Sequence, residues 1–380
     1  MPAPVTIAGR PIGPEHPPYV IAELSANHNG SLERTFEVMA AAKQAGADAV
    51  KLQTYRADTI TLDHDGPGFR IEHGLWRGRT LHDLYLEAQM PWEWHAPLFA
   101  RGRELGIAVF STPFDPTAVD LLESLEAPAY KIASFEMIDL PLIERVARTG
   151  KPMIVSTGMA NLVEIGEAVA AARRGDCREL ILLHCVSGYP TPAGEANLRT
   201  IPDLARAFGT VTGLSDHTLG MGVAVASVAL GASVIEKHVT LRRADGGPDS
   251  AFSLEPAELA ALCAACRDAH SALGEIRYGG KASEAGNVQY RRSLYAVADI
   301  AAGERLTERN VRSIRPGFGL APKHLPEILG RPAARAIARG TPIAWDLLEH
   351  FPAKWTPVRR RKCDQIKESA AVAPRGLTKP

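Results

Sequence analysis

The sequence predicts a (β/α)8 barrel, the TIM barrel, followed by a small β-rich unit. Two observations predict it. Eight short, apolar, β-branched segments alternate with segments of helical spacing. The same eight segments end in charged and hydroxyl side chains, and the C-terminal ends of the strands are where such barrels assemble their active sites.

The strand-like segments are residues 19–24, 49–54, 108–113, 129–134, 152–157, 180–185, 211–216 and 234–239. Each is nearly continuous in apolar character, as a strand covered on both faces must be. Ser31 is placed to cap a helix in which Phe36, Met39 and Ala40 recur at helical spacing, and Gly46 ends it. Leu121 to Leu125, Leu142 to Val146 and Val163 to Ile165 start or carry further helices. Eight alternations favour a closed barrel over an open doubly wound sheet.

In chain order the strand ends carry Glu23; Lys51 and Gln53; Ser111 and Thr112; Lys131 and Ser134; Ser156 and Thr157; Cys185 and Ser187; Ser215 and His217; Glu236 and His238. Side chains at i and i+2 of a strand share a face. Ser215 therefore points with His217, and Glu236 with His238. If the two strands are neighbours, two imidazoles meet at one rim with a carboxylate and a hydroxyl beneath them. Two histidines can hold a divalent cation and leave its other positions to water and substrate. The competing reading of either histidine alone is an ordinary hydrogen-bonded imidazole at a strand end.

Composition fits a soluble enzyme. The 380 residues carry no formal net charge, which gives no case for nucleic acid or a membrane surface. No apolar run approaches the ~20 residues of a membrane span. The first residues, Met1 to Val5, lack the pattern of a secretion signal. An odd set of five cysteines in a long chain points to a reduced, cytoplasmic protein. Cys263 and Cys266 have CxxC spacing but sit in a helical pattern with no second pair nearby, which disfavours metal or redox work.

The barrel is expected over 1–280, a turn-rich linker over 281–290 and the small unit over 291–351. Short strands are expected at 293–297, 336–338 and 342–344. Two phrases in this unit echo each other, one running from Ile300 to Leu306 and the other from Ile337 to Ile343. Beyond it, residues 352–380 form a basic tail read as disordered.

Several phrases carry a resemblance. The run from Ile21 to Gly30, Lys51-Leu52-Gln53-Thr54, Ser156-Thr157-Gly158-Met159, Gly213 to Thr218 and Ile235-Glu236-Lys237-His238 look like the sialic acid (nonulosonic acid) synthase family. The small unit, with Arg315-Pro316-Gly317, resembles its SAF (antifreeze-like) domain. Gly66-Pro67-Gly68-Phe69, Leu75-Trp76, the stretch from Pro91 to His95, Ser134 to Asp139 and Gly246 to Leu254 are similar to the pseudaminic acid branch. His82 and Pro248 depart from that branch's usual residues.

The resemblance implies a transferase. It joins phosphoenolpyruvate to an N-acetylated amino sugar with a divalent metal (Mn, Co or Mg), in a homodimer that exchanges its small domains. Lys51, Thr112, Lys131, Ser134, Ser156 and Ser215 would bind phosphoenolpyruvate. Gln53, Glu136, Tyr189, Asp249 and Arg315 would contact the sugar. His217 and His238 would hold the metal, and Glu23 would act as general acid or base. Phe135, Met137 and Trp92 to Trp94 are expected to give the sugar pocket an apolar wall. N-acetylneuraminate and legionaminate synthases are neighbouring alternatives. The residues alone leave two other classes open: a Schiff-base aldolase with Lys131 as nucleophile, and a sugar-binding barrel without catalysis.

Overall fold

The structure is a computed structural model that describes residues 2–349. The basic tail read from 352 onward lies outside the described residues. The chain divides into two compact units, with the division between Glu275 and Ile276.

The first unit is the barrel. A hairpin of β1 (Val5–Ile7) and β2 (Arg10–Ile12) precedes it. The barrel strands are β3 (Tyr19–Glu23), β4 (Ala49–Thr54), β5 (Ala108–Pro113), β6 (Tyr130–Ile132), β7 (Met153–Ser156), β8 (Leu180–Cys185), β9 (Val211–Asp216) and β10 (Val234–His238). They close in the order β10-β3-β4-β5-β6-β7-β8-β9, so β10 pairs in parallel with both β9 and β3. Every strand read from the sequence is present, with ends shorter by one or two residues at several. The first barrel helix, Leu32–Gln44, starts where the sequence places it, and the Ser31 side chain accepts a hydrogen bond from the Arg34 N–H.

Two apolar layers hold the barrel. The outer one packs strand residues such as Val50, Leu52 and Leu182 against the helices. The inner one gathers Ile21, Ala49, Phe110, Ile154, Ile181 and Val234 near the strand starts, together with Val5, Ile7 and Ile12 of the hairpin. The hairpin therefore plugs the N-terminal end of the barrel. The sequence reading missed it, because two three-residue strands around Ala8-Gly9 are too short to show a period. With that end filled by hydrocarbon, the polar strand ends have only the opposite rim to occupy. Cys263 and Cys266 lie buried on the helix Pro256–Leu273 with free thiols, which burial pushes up to about 11 and about 12.

In the second unit, β11 (Ser293–Ala296) pairs antiparallel with β12 (Val311–Ile314). The strands expected at 336–338 and 342–344 are reduced to isolated bridges, Ile300 with Ile337 and Tyr295 with Pro342. The echoing phrases pair with each other: the Ile300 and Ile337 N–H groups each donate to the other's carbonyl at 2.9 Å. Both then turn at a glycine of positive φ, Gly303 and Gly340. Residues Ala282–Tyr290, within the segment read as a linker, form a 3-10 helix whose Gln289 carbonyl accepts from the Gly317 N–H.

Candidate active site

The register of the barrel decides which side chains meet. Glu236 pairs with Ser215 on one side and Ile21 on the other, and His238 pairs with Glu23. Gln53 pairs with Thr112. These inward positions build a buried ionic floor. Lys51 Nζ lies 2.8 Å from Glu23 Oε2, 3.5 Å from Glu236 Oε1 and 3.1 Å from Thr112 Oγ1. Lys131 Nζ lies 3.6 Å from the same Glu236 oxygen, to which Ser215 Oγ donates at 3.1 Å. Gln53 Nε2 donates to Glu23 Oε1 at 3.1 Å.

Two acids and two lysines thus share a space from which water is nearly excluded. Burial raises the Glu23 carboxyl, and Lys51 only partly offsets this. Burial also works against charge on Glu236, but Lys131 and Lys51 outweigh it and hold that carboxyl low. Burial lowers the Lys131 amine. For Lys51 the same burial is overcome by Glu23 and Glu236, so its amine is raised. The two acids are pushed in opposite directions: Glu236 is the fixed anion, and Glu23 the one poised to carry a proton.

Above the floor stand the histidines, their ring centroids 5.4 Å apart. His217 Nδ1 faces the Val186 carbonyl at 3.0 Å and the Cys185 thiol at 3.9 Å. Burial disfavours the charged imidazole, and the neighbouring Cys185 sulfur reverses that, raising His217. His238 is driven well down by burial, then by His217 and Lys51, so it is a neutral imidazole. Its Nδ1 is buried without a hydrogen-bond partner, 4.0 Å from Asp249 Oδ2. Among the described residues no group of three or more His, Cys, Asp and Glu side chains is spaced to hold a metal.

Hydroxyls and a further acid line one side. Ser156 Oγ is buried and unpartnered. Ser134 Oγ accepts from the Gly158 N–H at 3.1 Å. A Cβ on Gly158 would come within 2.7 Å of that oxygen and 2.4 Å of Ser187 Oγ, so only glycine permits this approach. Glu136 has one buried, unpartnered carboxylate oxygen, and burial pushes its carboxyl up to about 7.

Another wall is aromatic. Tyr189 packs on His217 at 4.4 Å with the rings tilted by 50°, Phe252 lies 5.3 Å from Tyr189 and 5.0 Å from His238, and Trp76 lies 5.8 Å from Tyr189. The apolar wall expected from other residues is elsewhere. Met137 is buried in the outer core and Trp94 packs on that core. Trp92 Nε1 donates to the Tyr55 carbonyl and its ring carries Arg56, while Phe135 is exposed. Met137 follows Glu136 by one position and turns away from the site. Glu236 and Cys185 were placed at the strand ends from the sequence but given no role, and Phe252 and Trp76 were not named as site residues. For Glu236 the signal was present, since it shares a face with His238. Arg315 belongs to the second unit, directly after β12, and is exposed there.

A buried lysine–carboxylate floor under paired imidazoles narrows the chemistry, and comparison with known proteins narrows it further. The model of the NeuB family matches residues 38–278, well over half of the chain. The chain belongs to the NeuB family. The SAF domain model matches residues 291–349. The Pseudaminic acid synthase of Helicobacter pylori is 44% identical over 335 residues, which is 88% of this chain and 98% of that protein. The N,N'-diacetyllegionaminic acid synthase of Campylobacter jejuni is 38% identical, over 83% of this chain and 96% of that protein. Among solved structures, the N-acetylneuraminic acid (sialic acid) synthetase of Leptospira borgpetersenii superposes with a TM-score of 0.68. It is 32% identical and covers 76% of this chain and 96% of its own.

This NeuB-family site also suits a divalent cation. With Nδ1 of His217 turned to a backbone carbonyl, its Nε2 is left as the donor atom, the usual arrangement for a metal-bound imidazole. His238 is neutral and has an orphaned nitrogen. Two such donors leave most of a cation's positions open.

Proposed function

We propose that the protein is a pseudaminic acid synthase, a transferase that forms a C–C bond from phosphoenolpyruvate. It would condense phosphoenolpyruvate with 2,4-diacetamido-2,4,6-trideoxy-L-altrose and water, releasing pseudaminic acid and phosphate. The observation that carries this reading is the pair Lys51 and Lys131 converging on Glu236 beneath His217 and His238, in a chain 44% identical to a protein named for that activity.

Lys51 and Lys131 bind the phosphate and carboxylate of phosphoenolpyruvate through charge-assisted hydrogen bonds. Ser156 and Ser134 add hydroxyl donors, and the Gly158 N–H stiffens Ser134. Thr112 and Ser215 act one step back, orienting Lys51 and Glu236. Gln53, Glu136, Tyr189 and Asp249 face the acceptor sugar. His217 and His238 would hold a divalent cation (Mn, Co or Mg), which would supply Lewis acidity for the sugar's open-chain carbonyl.

The vinyl carbon of phosphoenolpyruvate attacks that aldehyde carbon, and Glu23, whose carboxyl is raised by burial, delivers a proton to the new alkoxide. As carboxylate it then takes a proton from the water that adds to C2. The tetrahedral centre collapses with C–O cleavage and phosphate leaves. The protein works in the cytoplasm as a homodimer, with Arg315 of one chain completing the sugar site of the other.

The experiment is phosphate release from phosphoenolpyruvate across a panel of N-acetylated hexoses. The expected result is a preference for the diacetamido trideoxy sugar over N-acetylmannosamine. Equal catalytic efficiency on both would overturn the assignment of the sugar.

A further inference from the structure

The last part of the segment between β4 and the helix Leu81–Ala88, residues 69–81, is a small hairpin. Ile71 and Arg79 pair at 2.9 Å, the Gly78 N–H donates to the Ile71 carbonyl and the Leu81 N–H to the Phe69 carbonyl. Gly74 and Gly78, both with positive φ, bracket its tip. Arg79 ties its base to Asp83 and Glu87 of the helix. The side chain that the tip presents is Trp76. Leu75 beside it is half exposed, and Arg77 and Gly78 are exposed.

Trp76 is held in one orientation. Its Nε1–H donates to the Pro248 carbonyl at 3.0 Å, in the loop that also carries Asp249. Its ring lies 5.8 Å from Tyr189, tilted by 52°. The indole is only partly covered, although a tryptophan recruited for packing alone would be expected in one of the apolar cores, and Trp76 is in none of them. Tyr189 and Phe252 in turn pack on His217 and His238, the histidines above the floor of Glu23, Gln53 and the lysines. The site thus joins an ionic floor to an aromatic wall, which suits a ligand with both polar and apolar parts.

We propose that Trp76 is a specificity-determining residue whose indole carries the apolar side of the acceptor sugar, the C6 methyl of a deoxy hexose. This rests on the synthase reading and names the feature of the sugar that the aromatic wall selects. A methyl on an indole face buries apolar area, whereas a hydroxymethyl there would lose a water partner without gaining another.

The test is steady-state kinetics on the full-length protein with Trp76→Ala and Trp76→Phe. Trp76→Ala should raise KM for the deoxy sugar by about tenfold or more and leave KM for phosphoenolpyruvate within about twofold. It should also narrow the preference over N-acetylmannosamine by a similar factor. Trp76→Phe keeps a ring, loses the bond to Pro248 and should stay within about threefold of wild type. Should Trp76→Ala fail to fold, Trp76→Leu replaces it. Unchanged acceptor KM in the Ala or Leu variant, or an equal rise for both substrates, overturns the proposal. So does a Trp76→Phe chain as impaired as Trp76→Ala, since the indole would then be a clasp for the Pro248 loop. A wild-type enzyme without preference for the deoxy sugar would instead remove the assignment of the sugar on which this proposal rests, a result obtained ahead of any variant.

Discussion

Lys237 Nζ lies 2.6 Å from Asp216 Oδ2, on the outer side of the barrel wall, one position out of step with Glu236 and Ser215 on the inner side. The lysine also donates to the Thr218 carbonyl, and Asp216 Oδ1 accepts from the Thr218 N–H. The pair pins both ends of the peptide that carries His217. Lys237→Met would leave Asp216 buried and unpaired, and should destabilise the protein by about 3–5 kcal/mol. Replacing both partners with apolar residues should recover most of that loss. Urea denaturation of the single and double variants measures it, and additive losses would show that the two residues are not coupled.

That alternation explains how much of the site was legible in the sequence. Period two along a strand is enough to place Ser215 with His217 and Glu236 with His238. It does not say which oxygen a lysine from another strand reaches, so Glu236 as the hub between Lys51 and Lys131 came only with closure of the barrel. Where strands end, the alternation ends too. Glu136 and Met137 were assigned to one pocket, yet one lines the site and the other enters the outer core. Trp76 lies far along the chain from Tyr189, on a hairpin whose pairing has no apolar period. The second unit was legible as an internal echo, whose halves proved to pair through Ile300 and Ile337.

Glu136 gives a pH dependence of known sign. Burial pushes its carboxyl up to about 7, against 4.5 for the unperturbed group. The folded state therefore binds this proton more tightly than the unfolded chain. The stability it contributes is complete below about pH 4.5 and is lost as pH rises through about 7, at most roughly 3 kcal/mol. Glu136→Gln should remove that slope, leaving the variant the more stable of the two at pH 8. Thermal melts of both proteins between pH 5 and 8 test this, and parallel curves would count against it.

The two floor lysines should act on one substrate. Lys51→Ala and Lys131→Ala are each expected to weaken phosphoenolpyruvate binding by ~1.5–3 kcal/mol, the cost of one charge-assisted hydrogen bond. Burial also lowers the Lys131 amine, which would favour a Schiff-base nucleophile. Borohydride in the presence of the acceptor sugar or pyruvate separates these roles. The synthase chemistry predicts no mass adduct, and a reduced adduct on Lys131 would establish an aldolase.

Chelation should abolish turnover, with Mn²⁺, Co²⁺ or Mg²⁺ restoring it, because two imidazole donors make an open and exchangeable site. His238→Ala should lose activity while its melting transition stays close to wild type, since His238 Nδ1 makes no hydrogen bond that folding depends on. Full activity of that variant at matched metal content would remove His238 from the ligand set.

Arg315 sits directly after β12, ahead of Pro316, Gly317, Phe318 and Gly319, a stretch rich in turn residues that could extend a guanidinium from a fixed loop. If it completes the sugar site of a second chain, the assembly is a two-fold dimer with its small domains exchanged. Arg315→Ala should then lose sugar affinity and keep its affinity for phosphoenolpyruvate. An Arg315→Ala chain mixed with a His217→Ala chain offers a sharper readout. Each homodimer is inactive, but a heterodimer would hold one site with neither lesion and one with both. Activity should therefore return as subunits exchange, toward about a quarter of the wild-type value when the two chains are equal and pair at random. Light scattering and a tag-exchange assay establish that mixing has occurred. A mixture that exchanges fully and stays inactive would show that Arg315 serves the site of its own chain.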